Sequence, residues 1–251
     1  EQGGCRKMLT LGIVLIAHCI FDFYLQSTGM AVQKETDNKV LVLHCVIYCV
    51  GISLVVNAIY EIGCLQNLII FGVLIASHYF MDGPARLYLC KGGRSPIARF
   101  AIDQIAHVLI LTALDFFLLF CARTRGYTVE LIQVHSVELA WTGSSVAVCR
   151  PAGIAVSKML ESARGQNSDE KGDTVHSGKW IGIFERLIVV ALSLLAQYSA
   201  IAFVFTAKSI ARFKEIENNQ GFAEVYLLGT LASVVFAMGS ALLFSYLFSL
   251  C

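Results

Sequence analysis

The chain has 251 residues, of which 57% are hydrophobic and 15% are charged, and its formal net charge is +1. A soluble domain of this size would interleave polar faces with its apolar runs, so this composition excludes an ordinary soluble protein and predicts an integral membrane protein. The balanced charge gives no electrostatic reason to expect a nucleic acid partner.

Apolar runs that are long enough to cross a bilayer recur along the chain. A hydrocarbon core of roughly 30 Å takes about 20 helical residues, and lipid offers no other way to satisfy the backbone than a helix. The sequence therefore predicts an all-α, polytopic transmembrane helix bundle with six or seven spanning helices. We place six at residues 8–25, 40–60, 65–81, 101–121, 183–207 and 224–250.

A polar stretch at 122–178 separates the fourth and fifth spans. Its semi-apolar piece at 129–148 fits an interfacial helix, a re-entrant segment or the seventh span. The tract at 165–174 has the composition of a disordered segment. We therefore expect a four-helix membrane domain at 1–121, this polar region at 122–178 and a two-helix membrane region at 179–251.

Three His/Asp pairs lie four residues apart within or at the ends of these runs, and the third pair is written in reverse. The pairs are His18/Asp22, His78/Asp82 and Asp103/His107. A helix that crosses the membrane in the opposite direction must reverse the pair to keep each residue at the same depth. The pattern therefore predicts a layer of histidines beneath a layer of aspartates near one membrane face, and His44 in the second helix falls near the histidine level.

Seven candidate ligands follow from these layers: His18, Asp22, His44, His78, Asp82, Asp103 and His107. Imidazole and carboxylate groups suit zinc, manganese or iron better than calcium or magnesium, and zinc fits best. The sequence thus predicts a site for one or two divalent metal ions, in which some aspartates fix the histidine tautomers. The alternative is a metal-free set of His–Asp hydrogen bonds that holds the bundle together.

Other polar residues flank these motifs. Gln26 and Gln104 can orient a water molecule or a substrate group, or they are ordinary interfacial residues. Asp115 lies two turns beyond His107 in the apolar run and is either a proton acceptor or a buried hydrogen-bonding partner.

Basic residues lie in the loops above the proposed site. Lys34 and Arg86 would suit a phosphate-bearing substrate or a lipid headgroup, or they serve as a positive-inside anchor. Gly83 and Pro84 are expected to end the third helix beside Asp82. Because the first and third loops carry lysine and arginine and the second carries none, we place the site at the cytoplasmic face.

A second polar set lies toward the C-terminus. Lys208 and Arg212 are four residues apart on one helical face. They can bind an anionic substrate group or pair with Glu224, or they form a helix-end cluster that reaches the membrane interface.

These motifs resemble a bacterial membrane-protein family, the domain of unknown function 3307. The resemblance is carried by HCIFDFYLQ at 18–26, SHYFMD at 77–82 and DQIAH at 103–107, and it continues with GKWIGIFER at 178–186, AKSIARF at 207–213 and EVYLLGTLAS at 224–233. It implies a bacterial inner-membrane protein and brings no established reaction. The chain departs from the family pattern at 83–86, where GPAR replaces a more regular helical continuation with a lysine.

The leading hypothesis is a membrane-embedded, metal-dependent hydrolase that acts on a lipid or another membrane-associated substrate. Asp22, Asp82 or Asp103 would ligate the metal or act as the general base. One alternative is a transporter or channel for divalent metal ions or protons, in which the same residues form a transit site. Another is a structural or sensory metal protein, which a closed four-ligand shell would favour.

Overall fold

The computed structural model describes residues 2–164 and 175–249. These residues are almost entirely helical, which confirms the all-α class. A short antiparallel pairing joins β1 (Tyr60–Glu61) to β2 (Arg123–Thr124). The predicted disordered tract at 165–174, and residue 250 at the end of the last predicted span, lie outside the described residues.

The chain divides into two compact units. One comprises Glu1–Leu139 with Leu247–Cys251, and the other comprises Ala140–Tyr246. The helices in chain order are α1 (Gln2–Cys19), α2 (Thr28–Gln33), α3 (Asn38–Ile59), α4 (Cys64–Phe80), α5 (Arg86–Lys91), α6 (Pro96–Cys121), α7 (Gly126–Val134), α8 (Ser136–Cys149), α9 (Pro151–Arg164), α10 (Val175–Leu194), α11 (Tyr198–Ala211), α12 (Phe213–Asn218) and α13 (Gln220–Ser249). The three-region division expected from the sequence stays a prediction.

Within the described residues, four helices are long and apolar enough to cross a membrane. They are Asn38–Ile59, Cys64–Lys91, Pro96–Cys121 and Gln220–Phe248. Two shorter apolar helices cover Met8–Tyr24 and Tyr198–Ala211. The semi-apolar piece at 129–148 falls on α7 and α8, which have 9 and 14 residues and are too short to span singly.

The predicted fifth span at 183–207 is wrong as a single helix. α10 ends at Leu194 and α11 begins at Tyr198. Between them, Ala196 adopts a left-handed conformation with φ of 55°, which a continuous right-handed helix does not contain. The apolar run therefore forms two helices joined by a tight turn.

The prediction that Gly83 and Pro84 end the third helix is also wrong. The chain passes from α4 through a π-helical turn, Met81–Ala85, directly into α5. A proline inside an α-helix lacks a donor and clashes with the carbonyl four residues earlier, and the wider π turn accommodates it. A second π-helical turn, Ile20–Tyr24, follows α1.

Side-chain caps define where two of the long helices begin. The Asp37 side chain accepts a hydrogen bond of 2.8 Å from the Lys39 backbone N–H before α3. The Ser95 hydroxyl accepts from the Ala98 backbone N–H before α6, and Pro96 occupies the first turn. These caps satisfy backbone donors that a helix start leaves unpaired, and so fix the register of the residues that follow.

An apolar core joins α1, α3, α4 and α6. Its buried members include Val14, Ile52, Leu74 and Leu111. α3 also packs closely on the first π turn, because Gly51 lies directly against the Phe21 ring. A Cβ at Gly51 would lie 2.3 Å from the nearest ring atom. This contact places the first π turn against α3.

We expect Gly51→Ala to destabilise the protein, because the added methyl group forces the Phe21 ring or the helix to move. Such overpacking costs about 1–3 kcal/mol. The matched control is Gly72→Ala in α4, where an added Cβ meets nothing within 4 Å and where alanine favours the helix. Thermal unfolding of the detergent-purified variants measures the difference, and equal midpoints for Gly51→Ala and wild type would contradict the close contact.

Candidate metal centre

Four helical segments of the first unit bring histidines and aspartates together in its interior. We call the following six residues the His/Asp cluster: Asp22, His44, His78, Asp82, Asp103 and His107. Five of them are buried and Asp103 is partly exposed. The ring centroids of His44 and His78 are 5.1 Å apart, and those of His78 and His107 are 4.6 Å apart. The structure thus brings residues from four separate segments to one place.

Two aspartates of the cluster lie in the two π-helical turns. Asp22 belongs to Ile20–Tyr24 and Asp82 to Met81–Ala85. A π turn holds one residue more than an α turn, so it changes the direction in which the following side chains point. Such turns occur frequently at functional sites.

Four members of the cluster form a compact set of ligand atoms, which we call the four-donor group: Asp22, His44, His78 and Asp82. The Nε2 atom of His44 lies 3.3 Å from Asp22 Oδ1 and 3.2 Å from Asp82 Oδ2. The Nε2 atom of His78 lies 3.2 Å from that of His44 and 3.7 Å from Asp82 Oδ2.

These distances match the edges of a metal coordination tetrahedron. Four atoms that sit about 2.1 Å from one metal ion at tetrahedral corners are about 3.4 Å apart. Four of the six separations among these atoms, at 3.2–3.7 Å, bracket that value, and all six are at most 4.8 Å. The buried cluster can therefore hold a metal ion by its geometry.

The remaining two members join Asp82 in a second set, the three-donor group: Asp82, Asp103 and His107. One ligand atom from each lies within 4.8 Å of the others. Nδ1 of His107 lies 2.8 Å from the backbone carbonyl of Asp103. Because a carbonyl only accepts, this nitrogen carries the proton and Nε2 holds the lone pair. Nε2 of His107 and Oδ1 of Asp103 are both buried without a hydrogen-bond partner.

His18 lies beside the cluster but both of its ring nitrogens are engaged elsewhere. Nε2 donates to the Gln104 side-chain oxygen at 3.2 Å, and Nδ1 lies 3.0 Å from the Tyr48 hydroxyl. The expected pairing of His18 with Asp22 is absent from the ion pairs of the described residues, since Asp22 faces His44 instead. His18 is thus placed to support the ligands, not to join them.

Gln104 connects three members of this network. Its amide nitrogen donates to Asp103 Oδ2 at 3.0 Å and to Asp22 Oδ2 at 3.4 Å, while its oxygen accepts from His18. This arrangement orients two carboxylates at once. Such partners of ligating groups fix their direction and tune their affinity.

Tyr48 is a site residue that the sequence reasoning missed. Its ring stacks on His78 with centroids 3.8 Å apart, and its hydroxyl reaches His18. Tyr48 is four residues from His44 on α3, so it shares a helical face with a candidate ligand. That spacing was the signal available in the sequence.

Lys34 is buried within the site, whereas we expected it on an exposed rim. Its Nζ atom lies 2.6 Å from Asp82 Oδ2 and 3.4 Å from the Gln26 side chain. Lys34 is 7% exposed and Gln26 is 9% exposed. The ammonium therefore neutralises a cluster carboxylate, and Gln26 supports it.

The other basic residues singled out in the sequence form ion pairs outside the His/Asp cluster. Arg86 forms an exposed ion pair with Glu35. In the second unit, Lys208 donates to Glu185 at 2.7 Å and to Thr230 at 3.2 Å, so the suggested pairing with Glu224 is not the one formed. Arg212 pairs with Glu215 at the surface.

Asp115 lies deeper in the first unit and is fully engaged. It accepts hydrogen bonds from Tyr60 at 2.7 Å and from Thr10 at 3.0 Å. These contacts support the interpretation of Asp115 as a buried hydrogen-bonding partner.

The charges of the site do not balance among its own residues. Asp22, Asp82 and Asp103 face a single ammonium, that of Lys34. If all four groups are ionised and the histidines are neutral, two negative charges remain. A buried charge without a partner is costly, and one divalent cation would compensate both. The donor types, the spacing and the charge therefore all fit a divalent metal ion.

A family model described as "Protein of unknown function (DUF3307)" matches residues 10–134. No curated protein and no solved structure is detectably similar to the chain. The matched residues include every member of the His/Asp cluster as well as His18, Lys34, Tyr48 and Gln104. Through residues 10–134 the chain therefore belongs to the DUF3307 family of proteins of unknown function.

Proposed function

We propose that this protein is a membrane-embedded metalloenzyme that hydrolyses a lipid or another membrane-associated substrate. The metal is a divalent cation, with zinc first and manganese or iron as alternatives. It is bound by the four-donor group at the cytoplasmic end of the helix bundle of a bacterial inner membrane.

The observation that carries the proposal is the spacing of the four donor atoms. Two imidazole nitrogens and two carboxylate oxygens come together from three separate segments, and four of their six separations are close to the edge of a coordination tetrahedron. Nε2 of His44 and Nε2 of His78 face each other and both face Asp82, as nitrogens do when they bind one cation. A shared cation gives each of these lone pairs a partner.

A divalent cation held in the His/Asp cluster would activate water and polarise a carbonyl or phosphoryl oxygen. The residues of the chain then divide the remaining work. Asp103, which is outside the four-donor group, is the carboxylate left to take a proton or to bind a further cation. Lys34 holds Asp82 in place, and Gln104 orients Asp103 and Asp22.

One observation favours the structural or sensory alternative. Each side chain of the four-donor group is at most 6% exposed, and four ligands complete a tetrahedral shell. The unpartnered atoms of Asp103 and His107 favour the enzyme, because a purely structural shell has no use for additional buried donors beside it.

We expect His44→Ala to abolish high-affinity zinc binding. His44 lies within 3.3 Å of ligand atoms from the other three members of the four-donor group, so its loss opens the shell, and affinity should fall by roughly 100-fold or more. Elemental analysis of the purified, dialysed protein measures the metal content. His135→Ala, at an exposed position, is the control. Equal zinc content in both variants would refute the metal site.

We expect His18→Ala to bind the same amount of zinc as the wild type at saturation. Both nitrogens of His18 serve Tyr48 and Gln104, so its removal loosens the support of the ligands without removing one. The affinity should fall by about 10–100-fold. A zinc titration with a competing chelator separates capacity from affinity, and a loss of capacity would make His18 a direct ligand.

We expect the zinc-loaded protein to hydrolyse ester or phosphoester lipids in detergent micelles or vesicles. A chelator should remove the activity and added zinc should restore it. Asp103→Asn should lower the turnover by about 100-fold or more, because it removes the carboxylate that stands outside the four-donor group. If sealed vesicles that contain the protein take up zinc and no lipid is hydrolysed, the transporter hypothesis is favoured and the enzyme proposal is wrong.

A further inference from the structure

Two residues of the His/Asp cluster, Asp103 and His107, are outside the four-donor group but lie beside one of its members, Asp82. Asp103 and His107 lie one turn apart on α6, and each places a ligand atom within 4.8 Å of Asp82. Asp82 therefore belongs to both the four-donor group and the three-donor group. A shared carboxylate is the usual connection between two neighbouring metal ions.

One buried atom of each of these two residues makes no hydrogen bond, and Oδ1 of Asp103 lies 3.6 Å from Nδ1 of His107. Nε2 of His107 and Oδ1 of Asp103 make no hydrogen bond, although His107 is only 3% exposed. The hydrogen bond from Nδ1 to the Asp103 carbonyl leaves the Nε2 lone pair free to coordinate. A histidine whose other nitrogen donates to a carbonyl is the common state of a metal ligand.

We propose that Asp82, Asp103 and His107 bind a second divalent cation beside the first. This inference rests on the proposed function and states at which of the two cations the proposed reaction takes place. The first cation has four protein ligands, whereas the second has three, and three protein ligands leave a coordination position for water or substrate. The second position is therefore the reactive one, and the first is structural.

Exposure supports this division of roles. The side chain of Asp103 is 22% exposed, while those of Asp22, His44, His78 and Asp82 are between 1% and 6% exposed. Water and a substrate can approach the cluster at Asp103 more readily than at the four-donor group. In this arrangement Asp103 acts as a ligand and not as a general base.

The test is the number of metal ions bound per chain. Wild-type protein is saturated with zinc, freed of unbound metal by gel filtration and analysed for its elements. We expect two zinc ions per chain for the wild type and one for Asp103→Asn and for His107→Gln. Asp115→Asn, a buried carboxylate on the same helix, and His135→Gln, at the surface, are matched controls that should keep two.

A second measurement needs no variant. When the wild-type protein is loaded with manganese, two ions that share Asp82 should show spin exchange in the electron paramagnetic resonance spectrum. One metal ion per chain, with the spectrum of an isolated ion, would overturn the second site and leave the proposed first site in place. A ratio of zero would overturn the proposed function itself. A ratio of two that is unchanged in both Asp103→Asn and His107→Gln would place the second ion elsewhere and refute this assignment.

Discussion

Carboxylates buried in an apolar helix bundle are the constraint on which the rest of the site depends. An ionised carboxylate loses several kcal/mol of hydration free energy when it leaves water, unless cations and hydrogen-bond donors replace the solvent. In the bundle, Lys34 forms an ion pair with Asp82 and His44 lies beside Asp22. The Gln104 amide donates a hydrogen bond to Asp103. These contacts give the carboxylate oxygens hydrogen-bond partners but do not balance the charge, and the remaining negative charge fits the proposed binding of a cation.

The sequence was sufficient to predict which segments bring histidines and aspartates together. The reversed order of Asp103 and His107 fixed the direction of α6 relative to the helices that carry the other pairs, because depth along a helix follows directly from residue count. His44 has no aspartate four residues away, and it was identified from its position near the start of α3. These inferences required only the rise per residue and the alternation of helix direction.

The sequence was not sufficient to predict which side chains face one another. The spacing of His18 and Asp22 implies a shared face on an α-helix, but Asp22 lies in the π turn at Ile20–Tyr24 and its carboxylate faces His44. The apolar and aromatic residues of that turn give no signal that distinguishes π from α geometry. The break at Ala196 is hidden for a similar reason, since hydropathy records burial and not backbone dihedral angles. The sequence places Lys34 in a loop, and this position does not show that its long side chain extends inward to Asp82.

An apolar layer separates the cluster from the deeper polar residues of the first unit, and this separation bears on the choice between chemistry and conduction. Leu111, which is 1% exposed, lies on α6 between His107 and Asp115, and Val14, Ile52 and Leu74 belong to the same core. A small cavity beside Tyr48, His78 and His107, about 10 Å³ in volume, has room for one water molecule. Asp115 is already held by Tyr60 and Thr10. A cation that crossed the bundle would have to leave the cluster, pass this layer without ligands and displace two hydrogen bonds. This arrangement of the described residues supports the proposed enzyme over the alternative of a transporter.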